Sequence, residues 1–129
     1  MNNEKNLIEK YLLPLAQNKE SLFLKNDAAY FKKQNLVIST DMMIEDKHFK
    51  KSIDPKLLAK KLIRINLSDI AAMGAVPDGI FLNIALPKSN IQHWLKAFTS
   101  GLKSDMKKFN LKLYGGDMSS SEKIFLSLT

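Results

Sequence analysis

Apolar residues return along this chain in two rhythms. From Pro55 to Met73, and again over residues 90–109, they recur at three- and four-residue steps, the period of an amphipathic helix. Asp54 suits the N-cap of the first helix, and Pro55 suits its first position, where the missing N–H costs nothing. Gly74 suits the position just past its end. Wound at about 100° per residue, this helix puts Leu58, Leu62, Ile65, Ala72 and Met73 on one face and Lys60, Lys61, Arg64 and Ser68 on the other. In the second helix Ile91, Trp94, Leu95, Phe98, Leu102 and Met106 form the core stripe. Trp94 there reads as packing and His93 as solvated.

The second rhythm is that of strands. Leu36 to Thr40 is β-branched and apolar and ends in Asp41. Gly79 to Leu86 is the strongest strand, stopped by Pro87. Leu111 to Tyr114 is a short strand followed by a Gly115-Gly116-Asp117 turn, and Lys123 to Thr129 is a closing strand. Residues 3–13 read as a short helix with a Leu7, Ile8, Tyr11, Leu12 stripe, limited by Pro14. Residues 15–26 are ambiguous, with Leu22-Phe23-Leu24 a candidate strand. Lys32 to Asn35 is a polar turn, and residues 42–53 are a loop holding Glu45, Asp46, His48 and Phe49. The order predicts an α/β domain of the α+β type: a mixed sheet of about four strands with two long helices on one face. The last strand carries no polar tail, as expected of the first part of a longer protein.

Length and composition narrow this further. A chain of 129 residues suits one domain with one core. It has no cysteine, hence no disulfide framework and no thiolate metal site. No apolar run reaches bilayer length, and Met1 to Lys10 lacks the apolar stretch of a signal peptide. A cytoplasmic protein without a membrane partner is expected. The net charge of +7 comes mostly from scattered lysines. No basic run is interleaved with aromatics as a nucleic-acid groove would be, so no nucleic-acid partner is expected.

The acidic residues change the picture. Asp69 falls inside the apolar face of the first long helix, with Asn66 close by on the same side. A carboxylate aimed at a core is costly unless paired. A metal, a basic side chain or backbone N–H groups could pair with it, or it could brace a neighbouring loop. Asp27 follows an apolar triplet, Asp41 ends a strand and Asp117 follows a Gly-Gly turn. Strand ends are where sites collect in open sheets. Carboxylates without cysteine suit hard cations such as magnesium, and magnesium held by a few carboxylates usually serves phosphates. Gly115-Gly116 would let backbone N–H groups approach a phosphate. Each feature taken singly also describes an ordinary turn.

The ordered set is more specific. Leu36-Val37-Ile38-Ser39-Thr40-Asp41, then Glu45-Asp46-Lys47-His48-Phe49, then Asn66-Leu67-Ser68-Asp69-Ile70-Ala71-Ala72-Met73-Gly74-Ala75 with Pro77, then Tyr114-Gly115-Gly116-Asp117 resembles the N-terminal domain of thiamine-monophosphate kinases. These belong to the wider aminoimidazole-ribonucleotide-synthetase-like superfamily. The resemblance runs from about residue 7 to the end. It implies one domain over residues 1–129, with the C-terminal domain of the full enzyme absent. It implies an ATP-dependent kinase that moves the γ-phosphoryl group of ATP onto thiamine monophosphate, giving thiamine diphosphate, and a homodimer formed through the sheet. It implies magnesium ligands at Asp27, Ser39, Thr40, Asp41, Asp69 and Asp117, nucleotide contacts at Gly116 and Asp117, and a substrate contact at His48. No general base is assigned, since the attacking phosphate oxygen is already ionised near neutral pH.

Several positions depart from the family's pattern. Lys25-Asn26 stand where Gly-Asp is usual, removing a carboxylate and a flexible glycine beside the phosphates. Asp46 replaces a glycine, and Met118 stands where a Thr is usual. Two alternatives follow from these observations. One is another ATP-dependent enzyme of the superfamily, such as aminoimidazole ribonucleotide synthetase or selenophosphate synthetase, although the latter usually carries a reactive Cys that this chain lacks. The other is a degenerate, non-catalytic domain that binds nucleotide or dimerises.

Overall fold

The computed structural model describes residues 3–129. The chain opens with helix α1 (Glu4–Leu7), whose first turn is capped by Asn3 accepting from the Asn6 N–H at 2.9 Å. The coil widens over Ile8–Leu12 and tightens into a 3₁₀ turn over Leu13–Leu15, so Pro14 does not end it at once. Its apolar residues Leu7, Tyr11 and Leu12 are exposed. Leu22-Phe23-Leu24 is not a strand. All three residues have left-handed φ, between 52° and 55°, a run of turns that L-residues rarely sustain. Strand β1 (Ala29–Phe31) pairs antiparallel with β2 (Leu36–Ile38), and the polar turn between them closes with Asn35 at φ 50°.

A four-stranded sheet forms the body. It is built from β3 (Asp41–Ile44), β4 (Gly79–Leu86), β5 (Lys112–Ser120) and β6 (Phe125–Leu128), in the order β3-β6-β4-β5. β6 is antiparallel to both β3 and β4, while β4 and β5 are parallel. β3, β4 and β5 therefore point the same way. The connections between them are the two long helices, α2 (Pro55–Ala72) and α3 (Ile91–Lys108). Parallel strands need such crossovers. The expected mixed sheet with two helices on one face is what forms.

Three boundaries differ from the sequence reading. The strand expected over 36–40 stops at Ile38, and Asp41 opens β3 rather than closing a strand. Met42-Met43-Ile44, expected as loop, is an edge strand, paired among the described residues with β6 alone. Gly115-Gly116-Asp117 is not a turn but the middle of β5, paired in register with Phe81, Leu82 and Asn83. Only Ser39 hints at the first break, inside a run that otherwise reads as strand, and the pairing partner of the second comes from a distant part of the chain.

α2 begins as its sequence predicts, with Asp54 Oδ1 accepting from the Lys56 N–H at 2.9 Å and Pro55 at the first position. Its buried stripe is Leu58, Ala59, Leu62, Ile63 and Asn66, while Ile65 and Met73 are half-buried and Ala72 is exposed. The stripe is rotated from the simple wheel because α2 packs against both the sheet and α3. Gly101 sets that packing: a Cβ there would run into the Lys56 carbonyl on α2. Phe98 is fully buried and stacks on Trp94 at 4.6 Å, placing the indole over the core as expected. Asp105, also fully buried, receives a two-pronged hydrogen bond from Arg64 (Nε 2.9 Å, Nη2 3.1 Å), and the guanidinium lies 5.9 Å from the Phe109 ring.

Two stability outcomes follow from this packing. Gly101→Ala improves intrinsic helix propensity yet should lower stability by about 1–3 kcal/mol in urea unfolding, because the added methyl has nowhere to go. Arg64→Leu should lower the urea midpoint by leaving Asp105 buried without its partner. Replacing Asp105 by Leu in the same molecule should recover most of that loss.

Candidate functional site

β2 ends at Ile38, the chain turns at Ser39-Thr40, and β3 starts at Asp41. This turn lies against the last third of α2. Ser39 is buried, and its hydroxyl donates to the Asp27 carbonyl at 3.0 Å and reaches Asp69 Oδ2 at 3.5 Å. The hairpin of β1 and β2 thereby brings Asp27 to the same place. Asp41, half-buried, turns its Oδ1 to accept from the Met42 N–H at 2.9 Å. Thr40 makes a different contact: its hydroxyl accepts from that of Thr129 at 3.1 Å, tying the turn to the end of the sheet.

The electrostatics agree with the grouping. The Asp69 carboxyl is raised above its ordinary value, first by burial and then by the negative charges of Asp27 and Asp41, against a smaller lowering from the Ser39 hydrogen bond. Among the described residues, none of the three forms an ion pair. The carboxylates do not converge on one point: among the described residues, no three acidic or imidazole groups stand close enough to hold an ion between them. Three carboxylates and a hydroxyl remain an all-oxygen donor set of the kind hard divalent cations take. Magnesium needs only one or two direct carboxylates and keeps several waters. A cation here would also relieve the crowding felt by Asp69, so the donor chemistry suits such an ion once the carboxylates draw together around it.

The remaining expected residues lie elsewhere. Asp117, in β5, pairs with Asn83 of β4 and lies three strand spacings from β3, roughly 14 Å away. It lines a shallow hollow of about 250 Å³ on the open face of the sheet with Met42, Asn83, Phe125 and Ser127. The structure does not bring it to Asp27, Asp41 and Asp69. Gly116 has a packing reason for being glycine, since a Cβ would collide with the Leu82 carbonyl of β4. His48 is exposed in the turn after β3, and its Nδ1 accepts from the Ile44 N–H at 2.9 Å, which places the ring proton on Nε2. Its carbonyl accepts from Lys61 Nζ, eight residues or roughly 12 Å along α2 before Asp69. One residue near the cluster gains importance from the structure: Asn66 is buried, and its Oδ1 has no hydrogen-bond partner among the described residues. Such an orphan costs about 1–3 kcal/mol. Its place on the Asp69 side of the helix was legible in the sequence, and its unmatched oxygen was not.

Comparison with known proteins places this geometry. A family profile described as AIR synthase related protein, N-terminal domain, matches residues 25–129. A thiamine-monophosphate kinase of Buchnera aphidicola subsp. Schizaphis graminum is 49% identical over 98 residues, covering 74% of this chain and 30% of that protein. The solved thiamine monophosphate kinase of Aquifex aeolicus superposes with a TM-score of 0.79 at 30% identity, over 98% of this chain and 42% of that one. A structure named AaThiL complexed with AMPPCP and TMP superposes with a TM-score of 0.86 at 27% identity, over 99% of this chain and 42% of that one. The chain thus spans about a third of the length of the Buchnera relative.

The raised Asp69 carboxyl has a consequence for stability. The folded state holds this proton more tightly than the unfolded state, whose value is near 3.8. The penalty is absent below that value and grows as pH rises through the folded value. In the absence of divalent ions, Asp69→Asn should therefore raise the melting temperature at pH 7 and leave it nearly unchanged at pH 3. A variant less stable than the parent at pH 7 would contradict the electrostatic account.

Proposed function

The chain belongs to the AIR synthase related proteins, matching their N-terminal domain, and from that premise we propose that it is the N-terminal domain of a thiamine-monophosphate kinase. Residues 1–129 form a single domain in this reading, and the second domain of the kinase completes the nucleotide and substrate sites. The whole protein acts in the cytoplasm. The observation that carries the reading is the unpaired acidic group at Asp27, Asp41 and Asp69, set against the buried Ser39 hydroxyl.

The reaction joins two anions. An oxygen of the thiamine monophosphate phosphate forms a bond to the γ-phosphorus of ATP, and the bond from that phosphorus to the β–γ bridging oxygen breaks. ADP leaves with the electron pair, and no proton need move at the attacking oxygen. Magnesium, when bound, screens the repulsion between the two phosphate chains. Asp27, Asp41 and Asp69 are the side chains that would hold it. Ser39 fixes the orientation of Asp69 through its hydroxyl and adds an oxygen. Thr40 anchors the turn that carries both Ser39 and Asp41. No side chain acts as a general base, and the work of this domain is positioning and charge.

For Asp117 and Gly116 as nucleotide contacts, and His48 as a substrate contact, the proposal rests on the family resemblance. The His48 ring, with Nδ1 engaged by Ile44, presents an Nε2–H donor suited to an anionic substrate. The open face of the sheet exposes Met42, Phe81, Tyr114 and Phe125. A second copy of the chain covers this face in the proposed homodimer.

Two experiments test these statements. The chain alone should bind Mg-AMPPCP weakly in calorimetry and form no thiamine diphosphate, whereas the full-length protein should convert thiamine monophosphate with Mg-ATP. Silence at millimolar nucleotide would remove the retained-binding claim, and a full-length protein inactive with this substrate would remove the kinase. Sedimentation should show a dimer that Phe81→Glu converts to monomer; a monomeric parent at high concentration would exclude the sheet-face dimer.

A further inference from the structure

Glu4 to Leu15 form a continuous helical coil, and none of its residues is buried. Leu7, Tyr11, Leu12 and Leu15 are spaced to share one side of it. All four are exposed, Leu15 to 80%. A helix this short is marginal in water on its own, and packing of an apolar face is what normally holds it. The polar side offers one ion pair, Lys5 to Glu9 at 4.0 Å between exposed side chains, and such pairs contribute little. The apolar side is the stabilising feature still available, and among the described residues nothing buries it.

The coil is fastened at one end of the domain. Past Leu15 the chain returns through Glu20, whose carbonyl accepts from the Tyr30 N–H at 2.8 Å, and so joins the hairpin of β1 and β2. β2 runs on into the Ser39-Thr40 turn, and its Leu36 and Ile38, alternate residues on one face, are exposed as well. Thr129 meets that same turn: its hydroxyl donates to the Thr40 hydroxyl at 3.1 Å, while its N–H and carbonyl bond to Phe81 at 2.9 and 2.8 Å. The end of β6 therefore lies where the hairpin and the coil are attached.

Three occupants could cover the strip, and the structure favours one. The chain covers 42% of the Aquifex kinase and 30% of the Buchnera one, so more than half of each of those proteins lies outside the matched part. A body tethered beside Thr40 meets the strip at high effective concentration, an advantage that a second copy lacks. A membrane surface is a poor match. The polar side sets Glu4 and Glu9 against Lys5 and Lys10, without the Lys and Arg excess of interfacial helices.

We infer that the apolar side of the N-terminal coil, Leu7, Tyr11, Leu12 and Leu15, is the seat of the segment that follows Thr129, the second domain of the full-length protein. This rests on the reading of the chain as the N-terminal part of a longer kinase, and it adds a surface on which the two parts meet. The coil leads through residues 16–26 into Asp27, so a second domain seated here is joined directly to the segment that carries part of the acidic group.

Amide hydrogen exchange read by mass spectrometry tests this on the full-length protein and on the 129-residue chain, which has a buried core of its own. Amides of residues 4–15 should exchange roughly tenfold or more slowly in the full-length protein. Leu12→Glu combined with Leu15→Glu should abolish that difference, yet leave the urea midpoint of the 129-residue chain unchanged, since both side chains are exposed there. Equal exchange in the two proteins overturns the inference, and an active kinase with that result keeps the functional reading. Protection in the 129-residue chain that rises with its concentration assigns the strip to a second copy and overturns the inference too. So does protection that appears only with phosphatidylglycerol–phosphatidylcholine vesicles. A full-length protein that protects residues 4–15 but forms no thiamine diphosphate removes the kinase and keeps the docking surface.

Discussion

Where α3 crosses α2, the absence of a side chain at Gly101 lets backbone meet backbone at Lys56. That close approach, with the Arg64–Asp105 fork two turns further on, fixes both the height and the rotation of α2. Rotation is what matters for the site. Successive residues turn through about 100°, so a modest twist would carry Asn66 and Asp69 from the Ser39 turn toward solvent or deeper into the apolar layer. The helix pair is a rigid mount, and the acidic group is what it holds in place.

The mount carries a built-in conflict. Asp69 is half-buried beside two other carboxylates, and Asn66 hides an oxygen without a partner among the described residues. Neither feature helps the domain fold. The surplus comes from elsewhere: Leu58, Leu62, Ile63, Phe98, Leu126 and Leu128 are almost completely shielded from water. Local electrostatic strain of this kind is tolerable only when the surrounding layer over-determines the backbone, and it is typical of places where a ligand supplies what the protein withholds.

Much of this was legible in the sequence. Asp54-Pro55 and Gly74 delimit α2 by capping chemistry alone, and the eight residues from Gly79 to Leu86 declare themselves as a strand between a turn and Pro87. Asp69 stood out because a carboxylate interrupts an apolar stripe. The failures share a cause. β3 hides in Met42-Met43-Ile44 because an edge strand is defined by its partner, β6, which lies at the other end of the chain. Gly115-Gly116 reads as a turn because local propensity favours one, whereas tertiary pairing with β4 extends the strand straight through it. The left-handed run at Leu22-Phe23-Leu24 contradicts local preference outright, so no pattern could announce it. Asp117 stands apart from the other aspartates because β5 lies three strands from β3, a separation that the order of motifs along the chain does not reveal.

The insertion of β6 between β3 and β4 has a temporal side. α2, β4, α3 and β5 are contiguous in the chain, and their contacts can assemble as synthesis proceeds. β3 has no sheet neighbour until β6 arrives, because Asp41 pairs with Leu128 near the opposite end of the chain. Long-range pairings of this sort close late in folding. The turn that carries Thr40 and Asp41 therefore gains its tie to the sheet, through β6 and the Thr129 hydroxyl, in one late step.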